Sequence, residues 1–297
     1  MILPLDNAIG RLYSEEYFSP WPINLTKIPE DVDARKFSVL PLGFDSNFSH
    51  QDYADWSLYF RETWWVPFVV ALLYCELVFV GQKFMKDRKP FDLKNLLGLW
   101  NFILAVYSIV GAIQIVPYFV YTLVTSGPAY FLTRIATMTY GQGGPVSFWC
   151  LTFAFSKYAE LLDTAFLVLR KKPVSLLHWY HHATVLVVSL QTFAVNGPTG
   201  IIMCGMNIVV HSVMYTYYFL AAVLDRPPSW GRLVTKMQIA QMVAGTVMAV
   251  SIFVVPLFVD NSFGVTANNV TIGVIYVSYL VLFVQFYSKR YAKKRTD

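Results

Sequence analysis

Seven apolar runs, each about 20 residues long, limit how this chain can fold more than any other feature. Backbone polar groups in lipid must be paired within their own segment, so such runs cross a bilayer as helices. Only 14% of the residues are charged, against roughly 25% in an ordinary soluble domain. We therefore predict an all-α polytopic membrane protein. The predicted spans are Trp65–Phe84, Leu97–Val120, Val146–Leu169, Leu176–Val195, Ile201–Val223, Met237–Val259 and Val265–Phe286.

Lysine and arginine alternate between the loops that join these runs. They are numerous after the first, third and fifth runs and in the C-terminal tail, whereas the second, fourth and sixth loops together hold only Arg134. Cytosolic loops carry an excess of basic residues. The alternation therefore predicts seven transmembrane helices with a lumenal N-terminus and a cytosolic C-terminus.

The chain divides into a polar N-terminal part and the apolar remainder. We expect a lumenal tail at 1–62 with short elements at most, and a seven-helix membrane domain at 63–297 that ends in a short basic cytosolic tail. The cysteines lie in apolar runs, so we expect buried free thiols and leave open a single bridge between Cys150 and Cys204. Three glycosylation sequons face the lumen in this topology and begin at Asn24, Asn47 and Asn269.

Polar side chains recur at helical spacing inside four consecutive runs, where hydrocarbon makes ionisable groups costly. At about 100° per residue, those of the third run fall within an arc of about 120°, and the histidines of the fourth share one face. Taken alone, each group is also explained by hydrogen bonds or an ion pair that only fix helix packing. The residues are Lys157, Glu160, Asp163 and Thr164 in the third run; His178, His181 and His182 in the fourth; Asn207, His211, Tyr215 and Tyr218 in the fifth; and Thr235, Gln238 and Gln241 in the sixth.

The convergence of these groups predicts a cavity. The histidines and carboxylates lie in the cytosolic halves of their predicted spans, and the lumenal halves are apolar. We therefore expect helices around a cavity that opens to the cytosol. Such a cavity fits an amphipathic substrate with a polar head and a hydrocarbon tail.

Three classes of function fit this cavity. Membrane di-iron enzymes use more histidines than the four in these spans, but a zinc site of three histidines and a carboxylate or water stays open. That site would make the protein an intramembrane hydrolase of lipid amide or ester bonds. Imidazole can instead act as a nucleophile or a general acid and base near neutral pH. A seven-helix receptor would share the outside N-terminus but would not need the buried charges.

The same residues form four sequence motifs. These are KxxExxDT at Lys157, Glu160, Asp163 and Thr164; HxxHH at His178, His181 and His182; NxxxHxxMYxYY at Asn207, His211, Met214, Tyr215, Tyr217 and Tyr218; and TxxQxxQ at Thr235, Gln238 and Gln241. In this order, on successive helices, they resemble the fatty-acid elongases, the membrane condensing enzymes that act as very-long-chain 3-oxoacyl-CoA synthases. The resemblance covers Trp65 to the C-terminus. The stretches Gly144–Trp149 and His178–His182 resemble the branch that acts on long-chain saturated and monounsaturated acyl-CoAs.

The resemblance implies condensation of an acyl-CoA with malonyl-CoA to 3-ketoacyl-CoA, CO2 and CoA, with neither a cofactor nor a metal. It implies that His181 accepts the acyl chain as an acyl-imidazole and that His211 faces it across the cavity. His178 and His182 would hold this geometry or donate to the thioester oxygen. The residues implied to bind substrate or support the site are Lys157, Glu160, Asp163, Thr164, Asn207, Met214, Tyr215, Tyr218, Gln238 and Gln241.

The resemblance also implies a location in the endoplasmic reticulum membrane, and the terminal KKRTD is similar to a dilysine retrieval signal. The expected partners are the two CoA substrates, membrane lipid, and the ketoacyl-CoA reductase and dehydratase that complete the elongation cycle; no nucleic acid is expected. The sequence leaves open the preferred acyl length and unsaturation, the role of residues 1–62 and the oligomeric state, a homodimer included.

Overall fold

The computed structural model of the protein describes residues 39–40, 42–130, 143–195, 200–224, 226–254 and 267–291. Every regular element in these ranges is an α-helix, which confirms the all-α prediction. The helices are α1 (His50–Glu62), α2 (Val66–Met85), α3 (Lys94–Tyr130), α4 (Gly144–Glu160), α5 (Leu162–Leu169), α6 (Leu176–Ala194), α7 (Gly200–Val223), α8 (Gly231–Val254) and α9 (Ala267–Tyr291).

Five helices, α2, α3, α7, α8 and α9, are long and apolar enough to cross a membrane. Only 17% to 33% of each apolar window is buried inside the protein, so most of these side chains face outward. Leu72, Leu77 and Val274, for example, are all exposed. An exposed apolar surface of this extent marks contact with lipid. The chain is therefore an integral, multi-pass membrane protein.

The third and fourth predicted spans fall on the helices that carry the ionisable residues. The third is divided between α4, with 17 residues, and α5, with 8 residues, whereas the fourth corresponds to the 19-residue α6. The count of seven spans and their orientation stay predictions. Arg134, the expected end of the sixth span at Val259 and the KKRTD tail lie outside the described residues.

A buried cluster between α3, α4, α6 and α7 forms the core on which the polar site is built. A Cβ atom at Gly111 of α3 would lie 2.9 Å from Trp149 Cε3 and closer still to Ile208, so only glycine allows α3 to approach α4 and α7 this closely. The cluster includes Tyr53 and Phe60 of α1 together with Ile115, Tyr118, Trp149, Leu186, Phe193 and Ile208.

Helix α1 caps the C-terminal end of α6. The last carbonyl groups of a helix have no partner within it. Tyr53 Oη donates to Phe193 O at 3.1 Å, while Ser57 Oγ and Arg61 Nε both donate to Ala194 O at 2.8 Å. The end of the predicted tail is therefore packed into the helical core and forms a helix of 13 residues, longer than the short elements expected there.

The described residues shortly before α1 are anchored at two places. Gln114 Oε1 of α3 accepts from the N–H groups of Val39 and Leu40, both at 3.0 Å. Near α1, the buried Asp45 carboxylate accepts from Gln114 Nε2 at 2.6 Å and from Trp149 Nε1 at 3.1 Å. These contacts join residues 39–48 to α3 and α4.

The N-terminus of α1 carries a capping box. Ser49 Oγ accepts from the N–H of Asp52 at 3.0 Å, and the Asp52 carboxylate accepts from the N–H of Ser49 at 2.7 Å. The Ser49 hydroxyl also donates to the Asp52 carboxylate at 2.6 Å. This bond, together with that from the Ser49 N–H, favours the charged carboxylate and holds the pKa of Asp52 below its usual range. The box pairs N–H groups that the helix itself leaves unpaired.

The helical segment that carries the charged motif breaks at Leu161. The N–H of Leu161 bonds to Tyr158 O at 3.3 Å, and the N–H of Thr164 bonds to Leu161 O at 3.2 Å. This i→i−3 pattern is typical of a tighter, 3₁₀-like turn. The sequence predicts one continuous helix here; the structure divides the motif between α4 and α5.

The turn after α5 is stabilised by a Schellman motif in which the N–H groups of Lys171 and Lys172 return to carbonyls of the last helical turn. Lys171 has a φ of 53°, in the left-handed region that non-glycine residues rarely adopt. Its Nζ donates to Lys86 O at 2.7 Å and Arg88 O at 3.0 Å, just beyond α2. The basic loop therefore ties α2 to α5.

Candidate active site

A buried cation forms the centre of the polar site. Lys157 of α4 is 1% exposed, and its Nζ donates to Glu160 Oε1 at 2.6 Å and to Asn207 Oδ1 of α7 at 3.1 Å. The same Nζ lies 4.0 Å from the centroid of the Phe153 ring. A buried charge must be paired, and these groups pair it. Because ammonium only donates, Asn207 presents its oxygen to Lys157, and its Nδ2 is left to donate to another group.

The carboxylate of Glu160 extends this network to a histidine. His211 Nδ1 of α7 lies 3.6 Å from Glu160 Oε1, and the His211 ring packs edge-on against Tyr215 with ring centroids 5.3 Å apart. The second oxygen, Glu160 Oε2, is buried and has no hydrogen-bond partner within the described ranges. The orientation of Nδ1 toward Glu160 leaves His211 Nε2 as the nitrogen that can face a substrate.

Asp163 is held by two donors from other helices. Trp100 Nε1 of α3 donates to its Oδ1 at 2.7 Å, and Tyr215 Oη of α7 donates to its Oδ2 at 2.9 Å. The hydroxyl proton of Tyr215 is therefore engaged, so in this arrangement Tyr215 fixes Asp163 and does not offer a free donor.

Thr164 links α5 to two other helices. Its Oγ1 lies 2.9 Å from His178 Nε2 of α6 and 2.7 Å from Tyr74 Oη of α2. The Tyr74–Thr164–His178 chain fixes the orientation of the His178 ring. It also places the last residue of the charged motif beside the first histidine of α6.

The three histidines of α6 lie against one another. The ring centroids of His178 and His182 are 4.4 Å apart, and those of His181 and His182 are 5.5 Å apart. His182 is buried, and its Nδ1 has no hydrogen-bond partner in the part of the chain that the structure describes.

His181 differs from its neighbours in having an unengaged ring that is only partly buried. The side-chain polar atoms that reach His181 within the described ranges lie beside its backbone oxygen: Thr184 Oγ1 and Tyr279 Oη are each 3.4 Å from it, and both make shorter hydrogen bonds elsewhere. Its ring is close enough to Lys157, Glu160, His178 and His211 to interact with them electrostatically. The structure therefore brings the histidines of α6 and α7 and the charged motif together around one polar centre.

In the segments that the structure describes, the remaining predicted residues make no hydrogen bond or ring contact with the histidine rings or with the charged residues of the site. Gln238 Nε2 of α8 lies 3.2 Å from Met214 Sδ, and Gln241 is buried. Thr235 is buried and bonds to the backbone of its own helix. Tyr218 is 44% exposed, and the ring contact it makes is with Tyr217. The structure thus does not bring Tyr218 into the histidine group.

The residues outside the predicted set that contact the site include three aromatic side chains from α2, α3 and α9: Tyr74, Trp100 and Tyr279. Buried Tyr and Trp tips usually find a hydrogen-bond partner. With 19 tyrosines and 8 tryptophans in the chain, that rule could not select these three from the sequence.

No group of three or more His, Cys, Asp or Glu side chains within the described ranges is arranged to hold a metal ion. Cys75, Cys150 and Cys204 are free, and the last two are buried, as expected.

A family profile described as "ELO: GNS1/SUR4 family" matches residues 59–297. The chain belongs to this family. The match begins inside α1, before the start of the resemblance inferred from the motifs, in agreement with the packing of α1 into the core.

Individual relatives of the ELO family agree with this assignment. Human "Very long chain fatty acid elongase 3" is 36% identical over 239 residues, covering 80% of this chain and 87% of the relative. Drosophila melanogaster "Very long chain fatty acid elongase 6" is 35% identical over 253 residues, covering 84% of this chain and 78% of the relative. Trypanosoma brucei brucei "Fatty acid elongase 3" is 34% identical over 277 residues, covering 84% and 90%.

ELO membership identifies the protein as a membrane condensing enzyme of the acyltransferase type that acts in fatty acid elongation. The receptor and zinc hydrolase interpretations receive no support from it.

Proposed function

We propose that the protein condenses a long-chain saturated or monounsaturated acyl-CoA with malonyl-CoA and that the acyl chain passes through His181. The products are 3-ketoacyl-CoA, CO2 and CoA. The names of the human and fly relatives support a fatty acyl substrate, whereas the choice of saturated or monounsaturated chains rests on the stretches Gly144–Trp149 and His178–His182. The observation that carries the choice of His181 is its ring, whose nitrogens have no hydrogen-bond partner within the described ranges and which is less buried than His182.

The first step is acyl transfer to His181. A lone pair on a ring nitrogen attacks the thioester carbonyl, a C–N bond forms, and the C–S bond breaks to release CoA thiolate, which takes up a proton. This divides one difficult substitution into two easier ones. The carbonyl oxygen gains negative charge in the transition state, so a nearby donor stabilises it. Asn207 Nδ2 is suited to this role because Lys157 already occupies Asn207 Oδ1.

The second step joins the two substrates. Malonyl-CoA loses CO2, and the resulting carbanion attacks the acyl carbonyl; a C–C bond forms, and the C–N bond to His181 breaks to restore the imidazole. No base needs to remove a proton from malonyl-CoA, because loss of CO2 generates the carbanion. His211, held by Glu160 through Nδ1, presents Nε2 to position the malonyl group.

The remaining site residues act as support. His178, fixed by Thr164, and His182, packed between the other two rings, hold the His181 face in place. Lys157 supplies a fixed positive charge near the polar centre. The other proposed supporting residues are Asp163, Met214, Tyr215, Gln238 and Gln241; Tyr218 is left out because it lies away from the histidines.

The proposed cellular arrangement follows from charge and family. We infer seven spans, a lumenal N-terminus and a site that opens to the cytosol, where both CoA substrates are available. The loop charges support this orientation. A location in the endoplasmic reticulum would place the enzyme with the reductase and dehydratase that consume its 3-ketoacyl-CoA product.

The decisive experiment compares wild type with His181→Ala in microsomes supplied with labelled malonyl-CoA and acyl-CoAs of increasing chain length. We expect wild type to give a labelled product two carbons longer, and the variant to lose at least about 100-fold in rate. His50→Ala is the matched control, since His50 is exposed at the start of α1.

Trapping without malonyl-CoA tests the intermediate. A labelled acyl chain should remain on wild-type protein after a quench and map to His181 by mass spectrometry. Full condensation by folded His181→Ala protein would rule out the acyl-imidazole route.

A further inference from the structure

Tyr279 of α9 forms a wall against the His181 ring. It is 3% exposed, and its ring centroid lies 4.8 Å from that of His181 at an interplanar angle of 53°. The residue belongs to none of the four motifs and comes from the last described helix, which lies far from α6 in sequence.

The hydroxyl group of Tyr279 is fixed by a directed chain of hydrogen bonds. Thr184 Oγ1 donates to Tyr180 O at 2.6 Å, and this bond uses the only hydrogen of the Thr184 hydroxyl. Thr184 therefore accepts from Tyr279 Oη, which lies 2.6 Å away. Thr184 is one helical turn beyond His181 on α6. These hydrogen bonds therefore anchor the Tyr279 phenol to the helix that carries His181.

The His181 ring depends on packing for its orientation. Within the described ranges no hydrogen bond holds the ring nitrogens of His181, whereas His178 Nε2 is held by Thr164. The rotation of the His181 ring is therefore limited by the rings that pack against it. One of these rings is His182, which shares the same helix. The other is Tyr279, which is fixed from outside that helix.

We propose that Tyr279 is a positioning residue that holds the His181 imidazole in the rotamer required for attack on the thioester. The proposal rests on the acyl-His181 route proposed above. A nucleophile that must meet a carbonyl carbon is sensitive to small displacements, and a shift of about 1 Å can lower a rate about 100-fold. The phenol ring provides the wall, and the Thr184 hydroxyl keeps the ring in place.

The test measures acyl transfer separately from binding. Purified full-length protein is mixed with labelled acyl-CoA in the absence of malonyl-CoA, and acyl-enzyme formation and CoA release are followed in a single turnover. Acyl-CoA affinity and the melting temperature are measured on the same samples.

We expect Tyr279→Ala to slow acyl-enzyme formation about 10- to 100-fold with acyl-CoA affinity nearly unchanged. Tyr279→Phe keeps the wall and should recover most of the rate. Ser278→Ala is the matched control, because it removes the 3.0 Å hydrogen bond between Ser278 and Tyr180, which also joins α9 to α6 but does not touch the imidazole. It should stay close to the wild-type rate.

Two results would overturn the proposal. One is a Tyr279→Ala rate equal to that of Ser278→Ala; the other is a Tyr279→Ala rate that falls only in proportion to lost acyl-CoA affinity. If the alanine variant does not fold, Tyr279→Leu, which keeps apolar volume without the ring, is compared in the same way. If wild-type protein condenses both substrates without forming acyl-His181, the acyl-imidazole route itself is wrong, and the role of Tyr279 falls with it. If wild type forms acyl-His181 and only the Tyr279 results disagree, the positioning role alone is wrong.

Discussion

At the scale of single residues, the site is organised by a buried ion pair rather than by the histidines alone. Lys157 and Glu160 are almost fully buried, and each contacts a residue of α7: Asn207 for Lys157 and His211 for Glu160. Removing two charges from water is costly, and removing one partner leaves the other charge buried and unpaired. The pair therefore fixes α4 against α7 and orients two side chains of the proposed reaction.

Removal of one charge should destabilise the protein more than removal of both. We expect Lys157→Met to lower the free energy of unfolding by about 3–5 kcal/mol, because Glu160 is left buried without its partner. Adding Glu160→Gln should recover a large part of this loss. Thermal unfolding in detergent measures the double-mutant cycle, with Lys94→Met as an exposed control. Additive losses would show that the two charges do not depend on each other.

At the scale of helices, the histidine helix α6 is held at both ends. Ser175 Oγ accepts from the N–H of His178 at 3.2 Å at its N-terminus, and α1 supplies three donors to its last carbonyls. The orphan carbonyls of a helix end need such partners when they are buried. The segment that the sequence predicts to be a separate tail thus fixes the position of the helix that carries His181.

Loss of the α1 donors should loosen α6. We expect Ser57→Ala combined with Arg61→Met to lower stability by about 1–3 kcal/mol, because the partly buried carbonyl of Ala194 loses both donors. Gln51→Ala on the same helix removes only an exposed hydrogen bond to Asp55 and should change little. The melting temperature and the microsomal condensation rate are the measurements; an equal effect of the two changes would contradict the capping role.

At the scale of the whole molecule, the fold restricts where a glycan can be attached. Asn47 is exposed in the segment before α1. Asn269, in contrast, is 1% exposed inside α9, so its side chain is not available as an acceptor although its sequon satisfies the consensus. Asn24 lies outside the described residues. The proposed orientation puts the N-terminal sequons in the lumen and the C-terminus in the cytosol.

This topology can be read from glycosylation and protease access. In an Asn24→Gln background, we expect Asn47→Gln to remove an endoglycosidase-sensitive shift in electrophoretic mobility and Asn269→Gln to leave that shift unchanged. A tag at the C-terminus should be digested by protease added to sealed microsomes, because the cytosolic side of the membrane is the outer side of these vesicles. A protected tag would reverse the orientation, and a glycan lost with Asn269→Gln would contradict the burial of that residue.

The sequence by itself determined the properties that depend on the pattern of neighbouring residues along the chain. Runs of apolar residues predict helices wherever the backbone must pair its own polar groups, and a described helix lies at each run, although α3 continues to Tyr130 and α8 begins at Gly231. The spacing of polar residues likewise predicted Lys157, Glu160, His178 and His211, which the structure brings into one polar group with their neighbours, but it also selected Tyr218, which lies outside that group.

Tertiary structure decided the partners of those residues. The sequence contains no local signal that α1 would cap α6, that the motif helix would break at Leu161, or that Tyr74, Trp100 and Tyr279 would contact the site. The contacts of α1, Tyr74, Trp100 and Tyr279 each join positions far apart in the chain. A buried polar group takes whichever partner the packing of the helices brings within hydrogen-bond distance, and that distance is set only when the helices are assembled.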